Sequence, residues 1–338
     1  MTKLLQAAQR QSRTVGLALC FFSVLLAACN PAPTASPTPQ PTQTATAVAP
    51  TQAPPFRIVG YTSYGGYAAV NILQFDKVTH INFAFLIPDA DGTIVDIGQS
   101  QGLDMLAAVA HQHGVKVLIS VGGWGYDARF ERLAAGPATR SVFVGELLKF
   151  VNKYNLDGVD IDWEYPRPGA SAQNYASLMH ELGSLLHAEG KLLTAAVAAL
   201  GSNADTILSP VFEDVDFLNL MVYDGSGQNH SSYAYAEQSL AYWAGRGLPV
   251  SKAVLGVPFY ARPQEVPYRK LVQADPAAFE NDQVDYYGTT VYYNGAVTLR
   301  RKTALARQQA SGIMIWRLDD DAGSEASLLK VIYQAAAP

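Results

Sequence analysis

The sequence predicts an α/β fold, a closed (β/α)8 barrel that begins near Phe56, and three observations point to it. Eight short apolar runs follow one another after Phe56, and stretches of helical periodicity separate several of them. That order gives parallel strands joined by crossover helices. Runs such as KVLISV and VDFLNLMV show little polar alternation, as strands covered on both faces do. No GxGxxG or Walker-type glycine loop follows the first run, which argues against an open doubly wound sheet, the alternative arrangement. Eight βα units in about 280 residues match the usual size of a TIM barrel.

The residues before Phe56 have a different character. Lys3, Arg10 and Arg13 precede the apolar run VGLALCFFSVLLAA, Val15 to Ala28. The run falls short of the roughly 20 residues that cross a bilayer and has the form of a secretory h-region. It ends in LAAC at Cys29, which resembles the lipobox of bacterial lipoproteins. The resemblance implies residues 1–29 as a signal peptide, lipidation at Cys29, and an exported chain held at the cell membrane. A plain cleaved signal and a secreted chain is the other reading. The only cysteines are Cys20 and Cys29, so neither a disulfide nor a cysteine-ligated metal is expected in the barrel. Residues 30–55 are Pro, Thr and Ala without charge. Such a segment cannot bury enough surface to fold and serves as an extended linker, reaching on the order of 80 Å.

Residues 56–338 then form the barrel. The strands are expected in FRIVGYTSY, KVTHINFAFLI, VKVLISVGGW, DGVDIDWEYP, KLLTAAVAAL, VDFLNLMVYD, KAVLGVPFYAR and SGIMIWRLDDD. Helices are expected over Gly102–His113, Ala138–Tyr154, Ser171–Ala188, Tyr233–Ala244 and Ser324–Ala335. The stretch from Pro263 to Leu305 fits no barrel unit as a whole. Its YNG, ending at Gly295, sits between apolar and β-branched residues and predicts a β-hairpin, a short excursion between strands seven and eight rather than a large α+β insertion domain. The basic run RRKTALAR, Arg300 to Arg307, reads as the solvated face of a helix. With a net charge of −5 and no basic groove, nucleic acid is not an expected partner.

The fourth run carries the chemistry. On a strand, alternate side chains share a face. Val159, Ile161 and Trp163 then face covering helices, and Asp160, Asp162 and Glu164 face the barrel interior. Three carboxylates in a low-dielectric interior repel one another, so burial and like charge hold at least one protonated near neutrality. Glu164 lies toward the strand's C-terminal end, where barrel active sites open. A protonated carboxyl there is what a general acid requires. Oxygen ligation of Mg²⁺ or Ca²⁺ and purely structural hydrogen bonding are the alternatives. Asp157 reads as a turn acid, His80 as a core residue, and Gly122 with Gly123 as sites of close backbone approach.

DGVDIDWEYP matches the DxxDxDxE signature of glycoside hydrolase family 18, the chitinase family, at every acidic position. SVGGW resembles the family's SxGG, MVYD its MxYD, and GIMIWRLDDD its last strand. GVPFYAR is similar to its GxPFYGR, with Ala261 where the family often has glycine. The resemblance covers about residues 56 to 336. It implies hydrolysis of β-1,4-linked N-acetylglucosamine polymers, assisted by the substrate's own acetamido group. It implies Glu164 as general acid and base, Asp162 orienting the acetamido group, Asp160 tuning Asp162, and Tyr223 holding the acetamido oxygen. Tyr61, Phe85, Gly123, Trp124, Met221, Asp224, Tyr260 and Trp316 would contact sugar. No cofactor or metal is expected, and the chain is expected to be a monomer. Endo-acting enzymes on N-glycans or peptidoglycan, and lectins that have lost the acid, are the other members the resemblance leaves open.

Overall fold

The computed structural model describes residues 56–63, 73–95, 102–323 and 325–337. The expected signal peptide, the lipidation site at Cys29 and the linker lie outside them.

Eight parallel strands close on themselves: β1 (Arg57–Thr62), β2 (His80–Pro88), β4 (Lys116–Gly122), β5 (Gly158–Asp162), β6 (Leu192–Ala198), β7 (Phe217–Met221), β8 (Ala253–Pro258) and β13 (Gly312–Trp316). Their order is β1-β13-β8-β7-β6-β5-β4-β2, and a further β1–β2 pairing completes the cylinder. The two-residue β3 (Ile94–Val95) pairs antiparallel with the end of β2. The strands are the eight apolar runs read from the sequence, and nearly every strand residue is buried, as two-sided cover requires.

Two apolar layers follow from the pleat. Inside the barrel, Val59, Tyr61, Ala84, Ala196, Phe217, Met221, Val254 and Met314 pack together. Outside, the alternate strand residues meet the helices in one continuous core. Val159, Ile161 and Trp163 belong to this outer layer. Trp163 stacks on Phe130 at 5.2 Å and meets Tyr175 at 5.8 Å.

The covering helices are α1 (Leu103–Gln112), α2 (Asp127–Ala135), α3 (Pro137–Lys153), α4 (Ala170–Ala188), α7 (Tyr233–Gly245), α9 (Ala296–Gln309) and α10 (Leu328–Ala336). Shorter turns α5 (Ser202–Asp205), α6 (Val211–Asp214) and α8 (Tyr268–Ala274) lie between them. Helix α10 starts four residues later than the expected Ser324. The reason is local: the Ser327 hydroxyl accepts from Lys330 N, and the Asp321 carboxylate accepts from Leu328 N, Leu329 N and Ser327 Oγ. Those acceptors satisfy the first-turn donors and fix the cap at Ser327.

The excursion between β8 and β13 is short, as expected; it opens with the two-residue strands β9 (Tyr260–Ala261) and β10 (Val266–Pro267), paired antiparallel, and its hairpin is not at YNG. Strands β11 (Gln283–Tyr286) and β12 (Thr289–Tyr292) turn through Tyr287 and Gly288. Both turn residues have positive φ, +50° and +81°, the mark of a type I′ connection. Gly295 precedes α9, and Asn294 is buried, donating through Nδ2 to the Ser231 carbonyl. The basic run is not wholly a solvated face either. Arg300, Arg301 and Arg307 are exposed, but Lys302 is fully buried. Its ammonium donates to Ser231 O at 2.6 Å, Asn294 Oδ1 at 2.7 Å and Ser231 Oγ at 2.8 Å. Three neutral acceptors satisfy its protons, and burial still pulls its pKa down to about 7.

Candidate active site

Strand register builds the site from its base upward. Asp160 pairs with Ser120 on β4 and Thr194 on β6, and paired residues share a face. Their hydroxyls donate to the Asp160 carboxylate at 2.8 and 2.6 Å. Tyr61 OH reaches it from across the barrel at 2.7 Å, and Asn219 Nδ2 at 3.2 Å. Asp160 has no solvent exposure. Burial pushes its carboxyl up, and the four donors hold part of that rise back.

Asp162, 4% exposed, is the next residue on the same face. Its carboxyl is held well above the usual carboxylate range by burial first, then by the charges of Glu164 and Asp160. Its Oδ1 is buried and has no hydrogen-bond partner among the described residues, yet Asp162 lines an open cleft. An unpartnered buried acceptor is costly unless a ligand donor completes it.

The strand ends at Asp162. Glu164 stands two residues beyond the strand, in the loop that follows, so it reaches the barrel mouth from the loop and not from the pleat. Burial raises its carboxyl, a hydrogen bond with Tyr165 opposes the rise, and the charge of Asp224 adds to it. Burial therefore favours the protonated state at both carboxyls, and the charge of Glu164 further opposes ionisation of Asp162.

Gly122 and Gly123 let β4 approach this loop. Gly123 N donates to Asp162 O at 2.8 Å. A Cβ on Gly122, at φ +112°, would lie 2.3 Å from the same oxygen, and one on Gly123, at φ +87°, would meet the Phe85 ring at 2.8 Å. Glycine is the residue that fits.

The cleft over these carboxyls has a volume of about 1360 Å³. Tyr61, Phe85, Gly123, Trp124, Asp162, Glu164, Met221, Tyr223, Asp224, Tyr260 and Trp316 all line it. Every contact residue expected from the sequence is thus brought to one cavity, and Asp160 lies beneath it. The floor is aromatic: Trp316 stacks on Phe85 at 5.5 Å and meets the edge of Tyr61 at 5.4 Å. At the rim Trp124 is 78% exposed. Tyr223 faces Tyr260 edge-on at 6.2 Å. Its phenol is raised well above the usual range by burial, then by Tyr260 and the Asp162 and Glu164 charges, so it stays a hydrogen-bond donor.

Among the lining residues that escape the sequence reading are Tyr165, His230 and Arg262. Arg262 grips Asp224 with Nε at 2.8 Å and Nη2 at 3.0 Å, a two-point contact. The buried His230 ring reaches Asp224 at 3.2 Å. Burial would raise the Asp224 carboxyl, but hydrogen bonds from His230, Arg262 and Tyr260 outweigh it and hold Asp224 ionised. Arg262 closes GVPFYAR, two places after Tyr260, so its motif was the available signal.

Asp157 sits at the strand entrance and away from the cleft. It accepts from Val117 N at 2.7 Å and contacts His111 Nε2 at 2.8 Å. His80 is buried, with Nδ1 against Thr79 Oγ1 and the ring edge-on to Phe217; both residues are structural.

Comparison with known proteins agrees in kind. The model of glycosyl hydrolases family 18 matches residues 57–321. Chitinase A1 of Niallia circulans is 33% identical over 302 residues, covering 62% of this chain and 43% of its own length. The chain therefore spans less than half of that curated relative. A solved chitinase from the chitin utilization locus of Flavobacterium johnsoniae superposes with a TM-score of 0.73 at 30% identity, over 83% of this chain and 94% of the other. A chitinase-like agglutinin from Robinia pseudoacacia shares the fold, with a TM-score of 0.73 at 23% identity, over 82% of this chain and 99% of its own.

Proposed function

The chain belongs to glycosyl hydrolase family 18, and from that premise we propose that it hydrolyses β-1,4-linked N-acetylglucosamine chains, chitin or chito-oligosaccharides, with retention and with help from the substrate. One observation carries the proposal: Asp162, whose buried Oδ1 has no partner among the described residues, lines an aromatic-floored cleft together with the raised carboxyl of Glu164 and the phenol of Tyr223. A sugar with a 2-acetamido group offers each of these its complement.

In the proposed mechanism Glu164 gives its proton to the glycosidic oxygen as the bond to the anomeric carbon breaks. The acetamido carbonyl closes on that carbon and forms an oxazolinium ion. The Asp162 carboxylate accepts the acetamido N–H, holds the group in line and stabilises the positive charge; the Tyr223 hydroxyl donates to the acetamido oxygen. Holding the nucleophile in place removes much of its entropic cost, and fixed carboxylates favour a cationic transition state. Water, deprotonated by Glu164, then opens the ring and restores the acid. Asp160, with its four donors, positions Asp162 from below. Trp316 supplies the apolar floor on which a sugar face rests.

The names of the relatives, chitinases, support the substrate class. The agglutinin shows that the fold alone does not decide between hydrolysis and binding; Glu164, present here with Asp162 and Tyr223, favours hydrolysis. The short excursion after β8 favours a shallow groove and endo-type cleavage. The lipobox-like LAAC favours a lipid anchor at Cys29, which membrane fractionation of a Cys29→Ser variant tests.

The substrate reading is tested by incubating the protein separately with chitin oligomers, an N-glycan and peptidoglycan, with products identified by mass spectrometry. The proposal expects shortened oligomers from the first alone. Cleavage confined to the N-glycan or to peptidoglycan would replace the substrate, and cleavage of none would favour the lectin.

A further inference from the structure

The hairpin β11–β12 forms part of one wall of the cleft, where Thr290 and Tyr292 line it. Its register pairs Gln283 with Tyr292 and Asp285 with Thr290, so these four share a face. The other face is fixed by packing: Val284 and Tyr286 lie on the core and Val291 is fully buried. The hairpin is also tied at its base and flank. Arg262 and Tyr292 form a β-bridge, and Gln264 Nε2 donates to Thr289 Oγ1 at 3.2 Å. A rigid strip with exposed polar side chains therefore runs from the cleft to the turn.

Tyr287 stands at the end of that strip. It is 88% exposed, and its φ is +50°. The first centre of a type I′ turn favours Asn, Asp or Gly, because a Cβ is strained there. Burial does not offset the strain, since the ring lies in solvent; an edge contact with Tyr286 at 4.7 Å returns part of it. A bulky aromatic kept in a strained and exposed position calls for a use outside the fold.

We propose that this strip is an outer sugar-binding site, which holds the part of a long glycan chain extending beyond the cleft. Tyr287 covers the apolar C–H face of one pyranose ring, Thr290 bonds hydroxyl or acetamide groups next to it, and Gln283, about 13 Å along the strip, bonds those of a neighbouring sugar closer to the cleft. The chemistry fits because a sugar ring presents an apolar face inside a polar rim, which an aromatic ring beside amide and hydroxyl side chains complements. The inference rests on the cleft being one for N-acetylglucosamine chains.

The test compares wild type, Tyr287→Asn and Tyr287→Phe on two substrates. One is a chromogenic chitobioside, short enough for the cleft alone; the other is colloidal chitin. Tyr287→Asn is expected to keep its melting temperature or gain slightly, since Asn suits the turn. It is expected to keep kcat/KM on the short glycoside, and to bind and cleave colloidal chitin about three- to tenfold more weakly. Tyr287→Phe should match wild type on both. Unchanged action of Tyr287→Asn on colloidal chitin, or an equal loss on both substrates, overturns the outer site and leaves the cleft assignment standing. If wild type cleaves neither substrate, the cleft assignment fails and the outer site falls with it.

Discussion

Replacing Asp160 by alanine removes the single acceptor that Tyr61, Ser120, Thr194 and Asn219 share inside the barrel. None of these donors reaches water, because all four residues are buried. A buried polar group left without its partner costs about 1–3 kcal/mol. The three hydroxyls can rotate toward one another, whereas the Asn219 amide keeps a second contact with Tyr61 OH at 3.2 Å. Removing the carboxylate also relieves the burial of a charge, which offsets part of the loss. The net expectation for Asp160→Ala is a destabilisation of about 4 kcal/mol. In a domain of this size that lowers the melting temperature by about 7 °C. Asp160→Asn keeps one acceptor oxygen and should cost about 1–2 kcal/mol. Urea unfolding followed by tryptophan fluorescence reads both. A loss under about 1 kcal/mol for the alanine variant would mean that the four donors do not depend on this carboxylate, and the account of how the site is founded would fail.

Two other perturbations probe the site and its support. Asp162 and Glu164 have raised folded-state pKa values, so the folded chain holds their protons more tightly than the unfolded one. Their favourable contribution is present in acid and is lost as pH rises through the folded values. Asp162→Asn is therefore expected to abolish most activity yet melt higher than wild type at about pH 8, the gap closing toward about pH 4; a gap independent of pH in calorimetry would contradict the assignment. Lys302→Met should cost about 2–4 kcal/mol, because three acceptors lose their donor in a buried place. It should also lower kcat, since Ser231 Oγ donates to Val222 O at 2.5 Å beside Tyr223. Denaturant unfolding and steady-state rates measure the two effects, and a fully active, equally stable variant would show the latch to be idle.

The barrel was legible because its strands are long apolar runs and its acids alternate with Val159, Ile161 and Trp163. A period of two assigns faces without any knowledge of partners. The strand itself stops at Asp162, earlier than the run suggests, yet the same choice of sides carries into the loop: Trp163 packs in the outer core and Glu164 lines the cleft. Contacts between distant parts of the chain were harder to see. Arg262 meets Asp224 across 38 residues, and Lys302 meets Ser231 across 71, so a basic run that looked solvated holds a buried ammonium. The sequence favours a hairpin at Asn294–Gly295 because that pair is the stronger local turn signal; tertiary packing of Asn294 against Ser231 claims it, and the turn forms at Tyr287–Gly288 instead. Helix α2 is only nine residues long, too short for its period to stand out.

The central claim is that Glu164 hands its proton to a departing sugar. Glu164→Gln removes that proton and keeps the shape, so hydrolysis of a chitin oligomer and its binding by isothermal titration should separate. The account predicts turnover reduced by about 10²–10⁴-fold with oligomer affinity close to wild type. A variant that kept even about a tenth of the activity, a loss far short of a general acid's share, would contradict it.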